Sequence, residues 1–133
     1  MKKFIYLIIL TFGILSCNSD DETQDEVQID ISDLIGKWNW NSTCGGITGA
    51  CGYANEENFH TIEFIDDTSF IKITNGTITT NYTYSIIEFT IDDLYKTYKI
   101  LLDNGDIYFY RIKEDKLWIH GGEITWLYDK MID

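Results

Sequence analysis

From Gly36 to Asp129 the chain is a succession of short runs rich in Ile, Tyr, Phe, Trp and Thr, separated by turn residues at intervals of about eight to twelve positions. None of these runs carries the apolar period of a stable helix, so the segment must bury its apolar surface as sheet. Eight strands are expected: Gly36–Thr43, Phe59–Ile65, Ser69–Thr74, Thr77–Ile86, Tyr95–Leu102, Asp106–Ile112, Lys116–His120 and Glu123–Asp129. Between them stand a glycine-rich loop from Cys44 to Asn58, Asp66-Asp67-Thr68, Asn75-Gly76, Asp103-Asn104-Gly105, Lys113-Glu114-Asp115 and Gly121-Gly122. Asn75-Gly76 is the strongest hairpin signal, because both residues tolerate the positive φ of a two-residue turn. Glu88–Leu94 reads as a looser connection with room for a single helical turn.

Eight sequential strands with tight connections favour an up-and-down meander, and such a sheet loses its exposed edges by closing into an antiparallel β-barrel. The expected fold is therefore all-β, an eight-stranded barrel. Alternation assigns an inner face to Ile71, Ile73, Ile78, Tyr82, Tyr84, Ile86, Tyr98, Ile100 and Leu102. It continues through Ile107, Phe109, Arg111, Leu117, Ile119, Ile124, Trp126 and Tyr128. The opposite face carries aromatics of its own, Tyr108, Tyr110 and Trp118, which would form a second packed or partner-binding surface.

From Leu34 onward about 100 residues remain, which is one small domain with little surface to bury. Four Trp, nine Tyr and seven Phe supply bulk. Cys44 and Cys51 supply a staple: in an oxidising compartment a pair across a flexible glycine loop is expected to bridge. Zinc is the rival reading, with His60 and His120 as further ligands. The six-residue gap between the cysteines and the isolation of the histidines disfavour it.

The first residues set the compartment. Lys2 and Lys3 precede an apolar run, Phe4 to Ile14, that is too short to span a bilayer as a helix. Ser16 then precedes Cys17. This is secretory grammar, and Ile14-Leu15-Ser16-Cys17 resembles the bacterial lipoprotein signal. The resemblance implies cleavage after Ser16, acylation of Cys17 and anchoring of the protein to a membrane by lipid. Residues 1–16 would be the signal peptide and residues 17–33 an acidic, disordered tether. Asp20, Asp21, Glu22, Asp25, Glu26, Asp30 and Asp33 occur there with no basic residue, a composition that disfavours a packed structure. Ser19-Asp20-Asp21-Glu22 is similar to the acidic export signal of Bacteroidota lipoproteins. It implies display on the outer face of the outer membrane, with the periplasmic face as the alternative.

Residues 34–133 would form the barrel domain. Its opening, Leu34-Ile35-Gly36-Lys37-Trp38-Asn39-Trp40, places Gly-x-Trp after a lead-in and resembles the lipocalin signature. With the following Asn41-Ser42-Thr43 and the glycine-rich loop, it is similar to the small lipocalin-like domain lipoproteins of Bacteroidota. The resemblance implies that Trp38 plugs the closed end of the barrel, covered by an arginine that follows the last strand. Arg111 is the one arginine, and it stands in the sixth expected strand instead.

Chemistry is nearly absent from the sequence. There is no nucleophile elbow, phosphate loop or His-Glu-x-x-His motif, and Asp66-Asp67 and Asp92-Asp93 sit where Asp favours turns. No catalytic residue, metal or cofactor is expected, and the chain reads as a non-enzyme. The formal charge of −12, which becomes −14 without Lys2 and Lys3, excludes nucleic-acid binding through the net field. Two functions remain. One is a tethered barrel holding a small hydrophobic or glycan-like ligand, lined by Trp40, Tyr82, Tyr84, Tyr98, Phe109 and Arg111. The other is a protein-interaction module of inhibitor, immunity or envelope-stress type, using the Cys44–Cys51 loop and outward aromatics.

Overall fold

The computed structural model describes residues 28–132, so Cys17 and its flanking signal lie outside the described residues. Among those described there is no helix. Nine strands form one antiparallel sheet: β1 (Gly36–Gly45), β2 (Cys51–Tyr53), β3 (His60–Phe64), β4 (Ser69–Thr74), β5 (Thr77–Ile91), β6 (Lys96–Leu102), β7 (Ile107–Lys113), β8 (Lys116–Gly121) and β9 (Ile124–Lys130). Neighbours in sequence pair in turn from β3 to β9, and β1 pairs with both β3 and β9. Eight strands thus close into the expected antiparallel barrel.

β2 is the ninth strand, folded from the middle of the loop after β1. It pairs only with Ser42–Cys44, beyond the point where β3 stops. Cys44 and Cys51 stand directly opposite each other in this ladder, with their sulfurs at the bonding distance of 2.08 Å. Gly45 makes the turn possible: its φ is +134°, and a Cβ there would lie 2.1 Å from the Glu123 carbonyl oxygen.

Several inner-face expectations are overturned. β7 is inverted: Tyr108, Tyr110 and Ile112 point inward, while Ile107, Phe109 and Arg111 are exposed. Register decides this, because Tyr110 is paired with buried Tyr98 on one side and Ile119 on the other. β4 is inverted too. Its Phe70 and Lys72 pair with the inward Phe64 and Ile62, so Ile71 and Ile73 face out. A register shift between Lys72 and Ile73 then leaves Ile78 opposite Ile73 and 62% exposed. Ile124 also lies open to solvent, at the start of β9. The loose connection expected over Glu88–Leu94 is mostly strand. β5 continues to Ile91 by expelling Ile87 as a bulge, which resets the alternation so that Phe89 packs on Tyr98 at 4.8 Å.

The lead-in also differs from a free tether. Residues 28–33 lie against one end of the barrel, with Ile29 and Ile31 packed on the core. The amides of Leu34 and Ile35 both donate to the Ile31 carbonyl, forming a tight turn. The barrel holds this segment by its backbone: the Tyr98 hydroxyl donates to the Asp30 carbonyl at 2.8 Å, and Lys130 Nζ to the Asp33 carbonyl at 3.0 Å. Lys96 pairs with the Asp33 carboxylate. The two isoleucines supply apolar surface that an all-acidic tether would lack, and this is what packs the stretch before Leu34 on the barrel.

Candidate functional site

The barrel interior divides along its axis. At the lead-in end it is solid. Leu34, Trp38 and Leu117 are fully buried, with Tyr98, Ile100 and Ile112 around them. The Trp38 indole Nε1 donates to the Leu34 carbonyl at 2.9 Å, so the buried donor is satisfied. Lys130, the last residue of β9, holds its ammonium 5.1 Å from the Trp38 ring centroid. A lysine at the end of β9 therefore lies over this tryptophan; the lipocalin resemblance implied an arginine after the last strand, and the chain's one arginine, Arg111, is on β7 instead.

The other end is open. Here the turns after β1, β4, β6 and β8 surround a cavity of about 160 Å³. Its wall is Ile62 and Phe70 from β3 and β4, Lys72 from β4, Tyr82 from β5 and Leu102 from β6. Tyr108 and Tyr110 from β7, Ile119 from β8, and Trp126 and Tyr128 from β9 complete it. Gly121 gives this wall its shape. A Cβ at that position would meet the Tyr108 ring at 2.4 Å and the Trp126 ring at 3.2 Å, so only glycine lets the two rings lie edge to face, 6.1 Å apart. Larger hollows of about 380 and 330 Å³ lie over the turns at Asp103–Gly105 and Asp92–Tyr95, but neither has a convergent aromatic wall.

Beside the cavity, Trp40 stacks on His60 at 4.8 Å and bonds the Thr43 hydroxyl through Nε1. His60 Nε2 and the Tyr128 hydroxyl are hydrogen-bonded at 2.9 Å. Burial, helped by the positive charge of Lys72, lowers the His60 pKa to about 4, so the ring is neutral at physiological pH. Burial pushes the Tyr110 and Tyr128 phenols well above their ordinary value, and neighbouring tyrosines push in the same direction. The mouth therefore presents neutral hydroxyls, aromatic faces and one ammonium.

Of the expected ligand residues, Tyr82 lines the cavity and Trp40 stands next to it. Tyr84 and Tyr98 lie deeper, each tied by its hydroxyl to a backbone carbonyl, that of Asp66 at 2.7 Å and that of Asp30 at 2.8 Å. They are packing residues. Phe109 and Arg111 are on the outer wall, where the guanidinium lies 5.1 Å from the Tyr95 ring and Tyr95 meets Trp118 edge-on. Neither belongs to the interior. Sequence reasoning missed Lys72, Ile62, Phe70, Tyr108 and Tyr110 as lining residues. The detectable signal was the pairing of the apolar Ile62-x-Phe64 on β3 with Phe70-x-Lys72 across the Asp66-Asp67-Thr68 turn. Comparison of the chain with protein-family models, with curated proteins and with solved structures finds no match.

Proposed function

We propose that this protein is an envelope lipoprotein, anchored through acylated Cys17, whose barrel binds one small apolar or glycan-like molecule at its open mouth. The observation that carries this reading is the division of the interior. A barrel this small fills easily with side chains, yet one end is filled and the other keeps a cavity walled by convergent aromatic rings and a few polar groups. The signal-like residues before Cys17 and the acidic residues after it support export and display at the outer membrane.

Native mass spectrometry of the protein purified from its host's membranes tests the binding reading. A retained small molecule, lost when Trp126 is replaced by Ala, is the expected result. A Cys17→Ser variant should leave the membrane fraction, and protease treatment of intact cells separates surface display from the periplasmic face.

A second reading is favoured by the outer wall. Ile107 and Phe109 are exposed beside Arg111 and Trp118 on β7 and β8. An aromatic and cationic face on an otherwise acidic protein suits a protein partner. Crosslinking in cells that depends on Phe109 and not on Trp126 would favour this interaction role over small-molecule binding.

A further inference from the structure

The mouth cavity contains a charge that the protein does not neutralise. Lys72 stands opposite Ile62 of β3 and Thr80 of β5, which turns it inward, and it is the one charged residue in the cavity wall. The ion pairs among the described residues are Lys37–Glu63, Lys96–Asp33, Lys99–Glu88 and Lys116–Asp129. Lys130 and Arg111 lie over the rings of Trp38 and Tyr95. Lys72 has no such partner among the described residues. Carboxylates are not scarce: the chain has 22 Asp and Glu against 10 Lys and Arg. Lys72 is half-buried at the mouth, so its ammonium is free to take an incoming counter-charge, and the wall supplies none of its own.

The remaining chemistry fits an anion with a ring. The tyrosines that line the cavity offer hydroxyl donors, and the neutral His60–Tyr128 pair brings no competing charge. The volume, about 160 Å³, matches that of an apolar cavity able to hold a single benzene ring, about 150 Å³. The protein's negative net charge does not prevent this, because exposed charges are screened beyond roughly 8 Å while a contact at Lys72 is not.

We propose that the cavity takes a small monocyclic carboxylate, with its ring against Tyr82, Tyr108 and Trp126 and its carboxylate on the Lys72 ammonium. This rests on the mouth being a ligand site, as argued above, and specifies what that site recognises.

The test uses the full chain in detergent, with phenylacetate and the uncharged phenylacetamide as probes, followed by calorimetry and by the change in tryptophan fluorescence that is lost in Trp126→Phe. Phenylacetate should bind at least about tenfold more tightly than the amide, the ratio expected for one charge-assisted contact. Lys72→Met should abolish that ratio while leaving amide binding in place, and Lys72→Arg should keep it. Melting curves of the variants establish that the barrel is intact, and Lys72→Gln, which also removes the charge and should abolish the ratio, carries the test if Lys72→Met does not fold. Equal binding of acid and amide by the unaltered protein, or a preference that survives Lys72→Met, overturns the assignment to Lys72 and leaves the cavity as a neutral site. Binding of neither probe to a folded protein overturns both the carboxylate proposal and the reading of the mouth as a site for a small ring.

Discussion

The two ends of this barrel are built from the same strands and do opposite things with them. At the lead-in end, Leu34, Trp38 and Leu117 are sealed, the indole N–H is satisfied, and a lysine lies over the ring. At the mouth, Trp126 and Tyr108 stand apart around a cavity, a glycine makes room for them, and a lysine faces the gap without a carboxylate. The difference shows that a small sheet can place its stability at one end and leave the other end underpacked. A tryptophan in the first region should therefore be worth far more to folding than one in the second.

The sharpest way to break this contrast is to truncate one tryptophan at each end. Trp38→Ala removes a fully buried ring and should cost about 3–5 kcal/mol, lowering the melting temperature by more than about 12 °C. Trp126→Ala, beside an existing cavity, should cost about 1 kcal/mol. Equal losses in thermal melts would mean that the ends are not energetically distinct.

The bridge between Cys44 and Cys51 sharpens the contrast at the mouth. Replacing both by Ser should cost about 2 kcal/mol, since the linked loop is short. The loss should appear as faster hydrogen exchange in β1 and β2 near the bridge, with protection around Trp38 unchanged. Exchange that rises equally at the closed end would show that the mouth is not an independent region.

His60 gives a smaller effect that depends on pH. Its pKa falls from the ordinary 6.5 to about 4 in the folded protein, through burial first and the charge of Lys72 second. The unfolded chain therefore binds the extra proton over that window. The His60 contribution is present above pH 6.5 and is lost as pH falls toward 4. After allowing for partial exposure the loss should be about 1 kcal/mol. Denaturant melts of His60→Gln should be flatter over this range than those of the unaltered chain, and identical pH profiles would contradict the burial of the ring. The smallest effect is expected from Lys130→Met, which removes the cation over Trp38 at a cost of about 0.5–1 kcal/mol. Chemical melts should resolve it, and a neutral outcome would show that neither the cation over Trp38 nor the Lys130 bond to the Asp33 carbonyl contributes to stability.

The barrel was legible in the sequence wherever one face of a strand was polar. In β6, Tyr98, Ile100 and Leu102 alternate with Thr97 and Lys99, and in β8 Leu117 and Ile119 alternate with Lys116 and His120. Both were placed correctly. In β7, Ile107, Tyr108, Phe109 and Tyr110 are all apolar or aromatic, so alternation cannot choose a face, and only the register with β6 and β8 does so. β4 misled for the opposite reason: its inward position is a lysine, which a binary pattern assigns to solvent. The bulges at Ile87 and after Lys72 each move the alternation by one residue, and no local composition announces them. The site was hidden with them, since its distinctive residue is the misplaced Lys72. The short β2 was hidden among glycines, although the cysteine pair that frames it was read correctly.

The seam between β1 and β9 sets an order of events. β1 is made first and is held on one side by β3, its near neighbour in the chain. Its other side has no partner until the last strand, some eighty residues later, has formed. Closing the ring is thus the least local step of folding and should be slow compared with the zipping of the hairpins from β3 to β9. Until it happens, the chain exposes two unpaired edges, one on β1 and one on whichever strand is then the last. A chain that stops before Ile124 keeps those edges permanently. It should aggregate edge to edge, and adding a synthetic peptide that spans β9 should suppress the aggregation.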